Sequence, residues 1–366
     1  MNEPDSQPSS PAAISQVVTQ ALQQQGLTPR VRVRGHHLHI GLTLSQIKHP
    51  PKAIAQIYLL METMVGTDPT IAPITHVTVY GLASAKQVKW KETFAMPQPG
   101  PTRDDLDLLS FNNRYSNALT FPVVTVLALI LNGFPLTAVL LRGIHIWIHE
   151  FGHATVAWMA GYNAIPLPFG WTNTGLNQSF FVYGGVLTLL GLLAWSGFRE
   201  GRRWPMVLAI ALALLQFIMT WILPDRTYRL LFYFGGVGGE FYLSTLLLVS
   251  FYFPLPAYWQ WEFWRYPVAI AAAFTFWHIW GLWHQIERGV ASIPWGTLWA
   301  GVGDANGDMN ILSADYGWSD QHIINTYTSL GHICLLVLLG LYGAIVLRQN
   351  HHTIYGWWLR LLAQIP

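Results

Sequence analysis

The chain has 366 residues, of which 52% are hydrophobic and 10% charged, and its formal net charge is +2 at pH 7. A soluble domain carries roughly 25% charged residues, so a surface made from this composition would not be kept in water, and the small net charge, without an Arg/Lys run at nucleic-acid motif spacing, sets nucleic acid aside as a partner. The single cysteine, Cys334, excludes a disulfide framework and a cysteine-rich metal site, which leaves His, Asp and Glu as ligands.

Residues 1–29 are rich in Gln, Ser and Pro and lack a basic segment followed by an apolar run; they read as a disordered lead-in, not a signal peptide. Residues 30–96 read as a small α/β module. Val31 to Leu44 alternates like a strand, Pro51 to Val65 has helical periodicity, Ile74 to Ala83 is again strand-like, and Trp90 to Phe94 offers a third strand. The stretch VTVYGLASAKQVKWKETF loosely resembles a short repeat module appended to many cyanobacterial proteins. The resemblance implies an accessory domain that docks a partner, and a plasma or thylakoid membrane as its setting. Alternation places His37 and His39 on one strand face, with His36 on the other, a pattern that suits a solvated face better than a metal site.

Residues 97–117, with PQPGP and mixed charge, read as a linker. Residues 118–350 then read as a polytopic α-helical membrane domain, and 351–366 as a tail. A span needs about 20 apolar residues. The candidates are Ala118 to Leu131, Leu136 to Ala160, Ser179 to Trp195, Met206 to Leu223, Leu230 to Phe253, Tyr266 to Trp283 and Leu330 to Leu347, six or seven spans according to whether the short first segment crosses or re-enters. Arg199, Arg202 and Arg203 mark a cytoplasmic loop, and Arg348 and Arg360 agree with it. The favoured version keeps the first segment from crossing and the module in the cytoplasm.

Within the second candidate stands RGIHIWIHEFGHATVAWMAG. His149 and His153 lie four apart on one helix face, close enough to share a zinc ion, and Glu150 is placed as general base for a water that zinc acidifies. Ionisable groups in an apolar helix are costly and usually functional, which lifts the motif above its chance frequency. HEFGH within a membrane helix resembles the site-2 protease family of intramembrane zinc metallopeptidases. The resemblance implies His149 and His153 as ligands, Glu150 as catalytic base, a transmembrane protein substrate in the lipid bilayer, and a third ligand, an aspartate, from a later segment. The family's Asp-Gly motif does not occur here. Its nearest counterpart is GVGDANGDMNIL, which offers Asp304 and Asp308; Asp308 is favoured because it runs into an apolar patch where Asn310 can add a hydrogen bond beside the ligand. The spacing of Asp304, Asn306 and Asp308 also begins like a calcium loop but lacks its closing glutamate.

Glu240, flanked by glycine pairs in FGGVGGEFYLST, stands as an alternative ligand, a partner of a ligand histidine, or a structural hydrogen-bonding residue. His145 extends the stripe of His149 and His153. With His278, His284, His351 and His352 it gives a faint likeness to histidine-box di-iron oxidoreductases, whose further boxes are missing. A membrane scaffold with a structural metal site is the third reading. Gly184-Gly185 and Gly235-Gly236 are the stretches where a substrate helix would dock.

Overall fold

The fold is a computed structural model that describes residues 10–47, 49–84, 87–96, 102–259, 262–296 and 306–364. Two units divide the chain: residues 1–108 with 346–366, and residues 109–345.

In the first unit, α1 spans Pro11–Gln24. Ser10 caps it by accepting the Ala13 N–H, Pro11 opens it, and Ile14, Val18 and Leu22 recur four apart as one buried stripe. That stripe corrects the expectation of a disordered lead-in for Pro11–Gln24, since apolar residues at helical spacing outweigh the polar composition around them; residues 1–9 of that expectation lie outside the described residues. A four-stranded sheet follows in the order β1 (Arg30–Arg34), β2 (His37–Thr43), β3 (His76–Ser84), β4 (Gln87–Ala95). The alternating run from Val31 to Leu44 is therefore two strands. Gly35, at φ +58°, takes a left-handed turn conformation that costs glycine nothing and folds β1 back on β2. The helix α2 (Pro50–Thr67) carries the chain across to β3, which pairs with β2 in parallel. Leu38, Ile40, Leu42, Val77 and Val79 pack on Ile54, Ile57 and Met61. Leu359 is buried in the same core, and Tyr355 donates a 3.0 Å hydrogen bond to Glu92, so the C-terminal segment expected as a tail is part of the module.

The first unit also contains the short α3 (Arg103–Leu106), closed by a Thr102/Asp105 capping box. The second unit contains α4 (Arg114–Gly133), α5 (Pro135–Leu140), α6 (Arg142–Met159), a hairpin of β5 (Tyr162–Leu167) and β6 (Trp171–Gln178), α7 (Phe180–Arg199), α8 (Arg203–Phe217), α9 (Asp225–Ser250), α10 (Arg265–Glu287), α11 (Asp308–Ala314) and the first part of α12 (Asp320–Gln364). Every expected span coincides with helix. The first, expected to be short, is a 20-residue helix, and the second is broken at Leu141. Among the described residues, five helices are long and apolar enough to cross a membrane: α4, α7, α8 with its continuation to Ile222, α9 and α12. The helices α6 and α10 are not among them, since α6 carries Arg142, His145, His149, Glu150 and His153, and α10 carries Arg265, His278 and His284. Val207, Ile210, Leu214 and Leu336 are each more than half exposed, as lipid-facing residues are. The hairpin was not expected; it interrupts the apolar segments with alternating polar residues.

Candidate metal centre

Close packing of α6 on α9 sets the site. A Cβ on Gly152 of α6 would collide with the carbonyl oxygen of Gly235 and stand 2.8 Å from the Cα of Gly239, both on α9. Only glycine permits that approach, and Tyr242 ties the helices further by donating to the Gly152 carbonyl at 3.1 Å. The short helix α11 is held by buried Met309 and Leu312 and by the Gly296 N–H, which donates to Asn310 Oδ1 at 2.8 Å. Its first residue is Asp308.

These elements converge three side chains. His149 and His153, one turn apart, bring their Nε2 atoms to 3.3 Å from each other, and Asp308 Oδ2 lies 3.1 Å from the first and 3.2 Å from the second. The opposite ring nitrogens are engaged elsewhere: His149 Nδ1 donates to Glu240 Oε1 at 2.9 Å and His153 Nδ1 to the Phe232 carbonyl at 2.7 Å. Those acceptors assign the proton to Nδ1 in each ring and leave each Nε2 with a lone pair aimed at the other and at a carboxylate. Three electron-rich atoms facing one another at such distances form a group that could hold a metal ion.

The separations test the fit of such an ion. Ligand atoms about 2.0 to 2.1 Å from a tetrahedral ion stand about 3.3 Å apart, and the three distances here match. Asp308 Oδ2 is buried without a hydrogen-bond donor among the described residues. Gly236 of α9 leaves the hollow beside it, for a Cβ there would lie against His149 Nε2 and 2.5 Å from Asp308 Oδ2. Among the described residues this is the one group of three whose atoms can hold a metal ion.

Glu150 follows His149 and is buried. Its Oε2 accepts a 2.5 Å hydrogen bond from the Thr172 hydroxyl, which also reaches the Glu150 carbonyl at 3.1 Å, so β6 of the hairpin orients this carboxylate. Thr172 carries no motif and was not foreseen.

The other expected residues fall into distinct places. Glu240 supports His149 and is not one of the three converging groups. His145 stands behind it, with Nδ1 3.9 Å from Glu240 Oε2 and its ring stacked on His278 at 4.4 Å. Asn310, expected to bond beside the ligand, instead holds the backbone at Gly296. Asp304 lies outside the described residues. His284 stacks on Trp280, while the rings of His351 and His352 lie against each other within the first unit, and no second histidine group able to hold a metal ion forms among the described residues. Histidine neighbours at Asp308 also remove the calcium-loop reading, which needs oxygen ligands. Gly235 packs against Gly152 and Val156 of α6 and Gly236 against His149 and Asp308, while Gly184 and Gly185 face open space.

No protein-family model, curated protein or solved structure matches the chain.

Proposed function

We propose that the chain is a membrane-embedded zinc metalloprotease resembling the site-2 protease family, with His149, His153 and Asp308 as ligands and Glu150 as catalytic base. The observation that carries this reading is the trio of separations between His149, His153 and Asp308, beside a buried carboxylate one residue from the first ligand. Two imidazole nitrogens and one carboxylate with space for a further ligand make up a catalytic zinc set. A bound zinc ion supplies Lewis acidity, acidifying a water and polarising the scissile carbonyl.

The chain's own groups do the rest. Glu240 and the Phe232 carbonyl fix the tautomer and direction of the two imidazoles. Thr172 occupies Oε2 of Glu150 and leaves Oε1 to take a proton from water and return it to the leaving amine. A helical substrate hides its carbonyls in hydrogen bonds and must be unwound before it is cut. The β5–β6 hairpin, whose strand carries Thr172, presents backbone donors and acceptors that can hold an extended segment at the site.

The test is elemental analysis of the full chain in detergent together with cleavage of a model transmembrane peptide. About one zinc per chain is expected, lost in His149→Ala and Asp308→Ala. Glu150→Gln is expected to keep the metal and lose cleavage by about 10² to 10⁴-fold. Two irons per chain would support a di-iron oxidoreductase, a reading disfavoured by His284, which stacks on Trp280 and not on the histidines of the site. Full function in Glu150→Gln would leave a scaffold with a structural metal.

A further inference from the structure

The module's sheet has two unlike faces. Val31, Val33, Leu38, Ile40, Val77, Val79, Trp90 and Phe94 point to the helices. The alternate residues form the other face, and the strand register gathers them: Arg32 opposite His39, Arg34 opposite His37, His37 beside His76, and Lys91 opposite Tyr80. Arg30, Arg32, Arg34, His37 and Lys91 are exposed. His37 stacks on His76 at 4.9 Å, and His39 Nδ1 lies 3.0 Å from the Tyr80 hydroxyl. No Asp or Glu alternates onto this face, since Glu92 points to the other, and no ion pair with these four cations occurs among the described residues. Burial first, and then the positive charges of Arg34, His37 and Lys91, hold His39 below the usual histidine range, so these groups act within one electrostatic field.

Four fixed positive charges on one face exceed the formal charge of the whole chain, +2. The small net charge therefore hides a concentrated patch. Chain connectivity says what lies near it. The apolar run Leu330–Leu347 ends eight residues before Tyr355, which bonds within the module, and eight residues reach at most about 28 Å. A module tethered that tightly to an apolar segment meets lipid headgroups at higher local concentration than any dissolved anion. Each basic residue near an anionic leaflet strengthens attachment about fivefold.

We propose that the Arg30/Arg32/Arg34/Lys91 face, with its His37, His39 and His76 centre, docks on the anionic lipid headgroups of the membrane that holds the chain. The inference rests on the membrane-embedded part of the functional reading and is independent of the metal centre.

Its test uses the full chain in nanodiscs of phosphatidylcholine alone or with about a third of phosphatidylglycerol. Acylation of Lys91 and carbethoxylation of His37 are followed by mass spectrometry, with Lys52 on α2 as internal reference. Both rates are expected to fall at least threefold relative to Lys52 in the anionic discs at low salt, and to recover at about 0.5 M salt, where screening shortens to a few ångströms. The Arg32→Glu/Arg34→Glu variant should show equal Lys91 rates in both lipids. Equal rates in the unaltered protein would overturn the proposal. So would protection over phosphatidylcholine by inorganic phosphate or by poly-glutamate, which would assign the face to a soluble anion or an acidic protein.

Discussion

An imidazole ligates a metal through one nitrogen only while its other nitrogen keeps a proton, and at His149 that proton is held by Glu240 at 2.9 Å. Glu240→Ala is predicted to weaken zinc binding about 10 to 100-fold in chelator competition, whereas Glu240→Gln, which keeps a carbonyl acceptor, should lose much less; equal losses would show that the charge and not the orientation is what matters. Gly236→Ala tests the hollow itself. Its methyl would occupy the space between His149 Nε2 and Asp308 Oδ2, so metal content should fall to near zero with the helices intact by circular dichroism. His149, Glu150 and His153 were legible because their spacing is itself the chemistry. Asp308 could be narrowed to one of two aspartates, because few carboxylates lie in the apolar half. For Glu240 the partner of a ligand histidine stood as one of several roles, and the sequence could not choose among them, since which atom of His149 it meets depends on the helix packing. The Phe232 carbonyl could not be read at all, for a backbone acceptor leaves no mark in a sequence.

At the scale of elements, the site depends on how closely α6 approaches α9. Gly152→Ala places a methyl against the Gly235 carbonyl, a backbone atom that cannot rotate away. Overpacking of this kind costs about 1–3 kcal/mol, and because His149 and His153 flank Gly152 on the same helix, the displacement should also reduce zinc content. Thermal unfolding in detergent and elemental analysis of the same sample check both; a lower melting temperature with full zinc would separate packing from ligand geometry. The helices were legible because apolar length is a strong signal. The hairpin was not, because Tyr162–Leu167 and Trp171–Gln178 are short, mix Asn, Thr and Gln with apolar residues, and are held by tertiary bonds such as Thr172 to Glu150, Trp158 to the Ala164 carbonyl and Gln178 to the Ala160 and Thr220 carbonyls. The helix α1 was obscured for a related reason: three apolar residues four apart carry its burial, while Ser15, Gln16, Thr19 and Gln20 lie among the positions between.

At the scale of the whole chain, the fold closes on itself in sequence: the module that begins at α1 is completed by residues more than 300 positions later. The segment HHTIYGWWLRLLAQIP after the last apolar run is too short to span and reads as a tail, because nothing local reveals that Leu359 is 2% exposed in the core of the first unit. Burial of such a leucine makes Leu359→Ala cost about 2–5 kcal/mol, a large share of what a module of this size has. Truncation after Gln349 removes Leu359, the packed Tyr355 and Leu362, and the Arg360–Glu62 ion pair together. The truncated protein is predicted to lose protease resistance throughout residues 30–96 while retaining about one zinc per chain, because His149, His153 and Asp308 all belong to the unit that ends at Ile345. Limited proteolysis and elemental analysis of one preparation decide the matter. A module that stays resistant would mean that its sheet and two helices suffice without the C-terminal segment, and loss of zinc along with the module would mean that the second unit needs the first to keep its ligands in place.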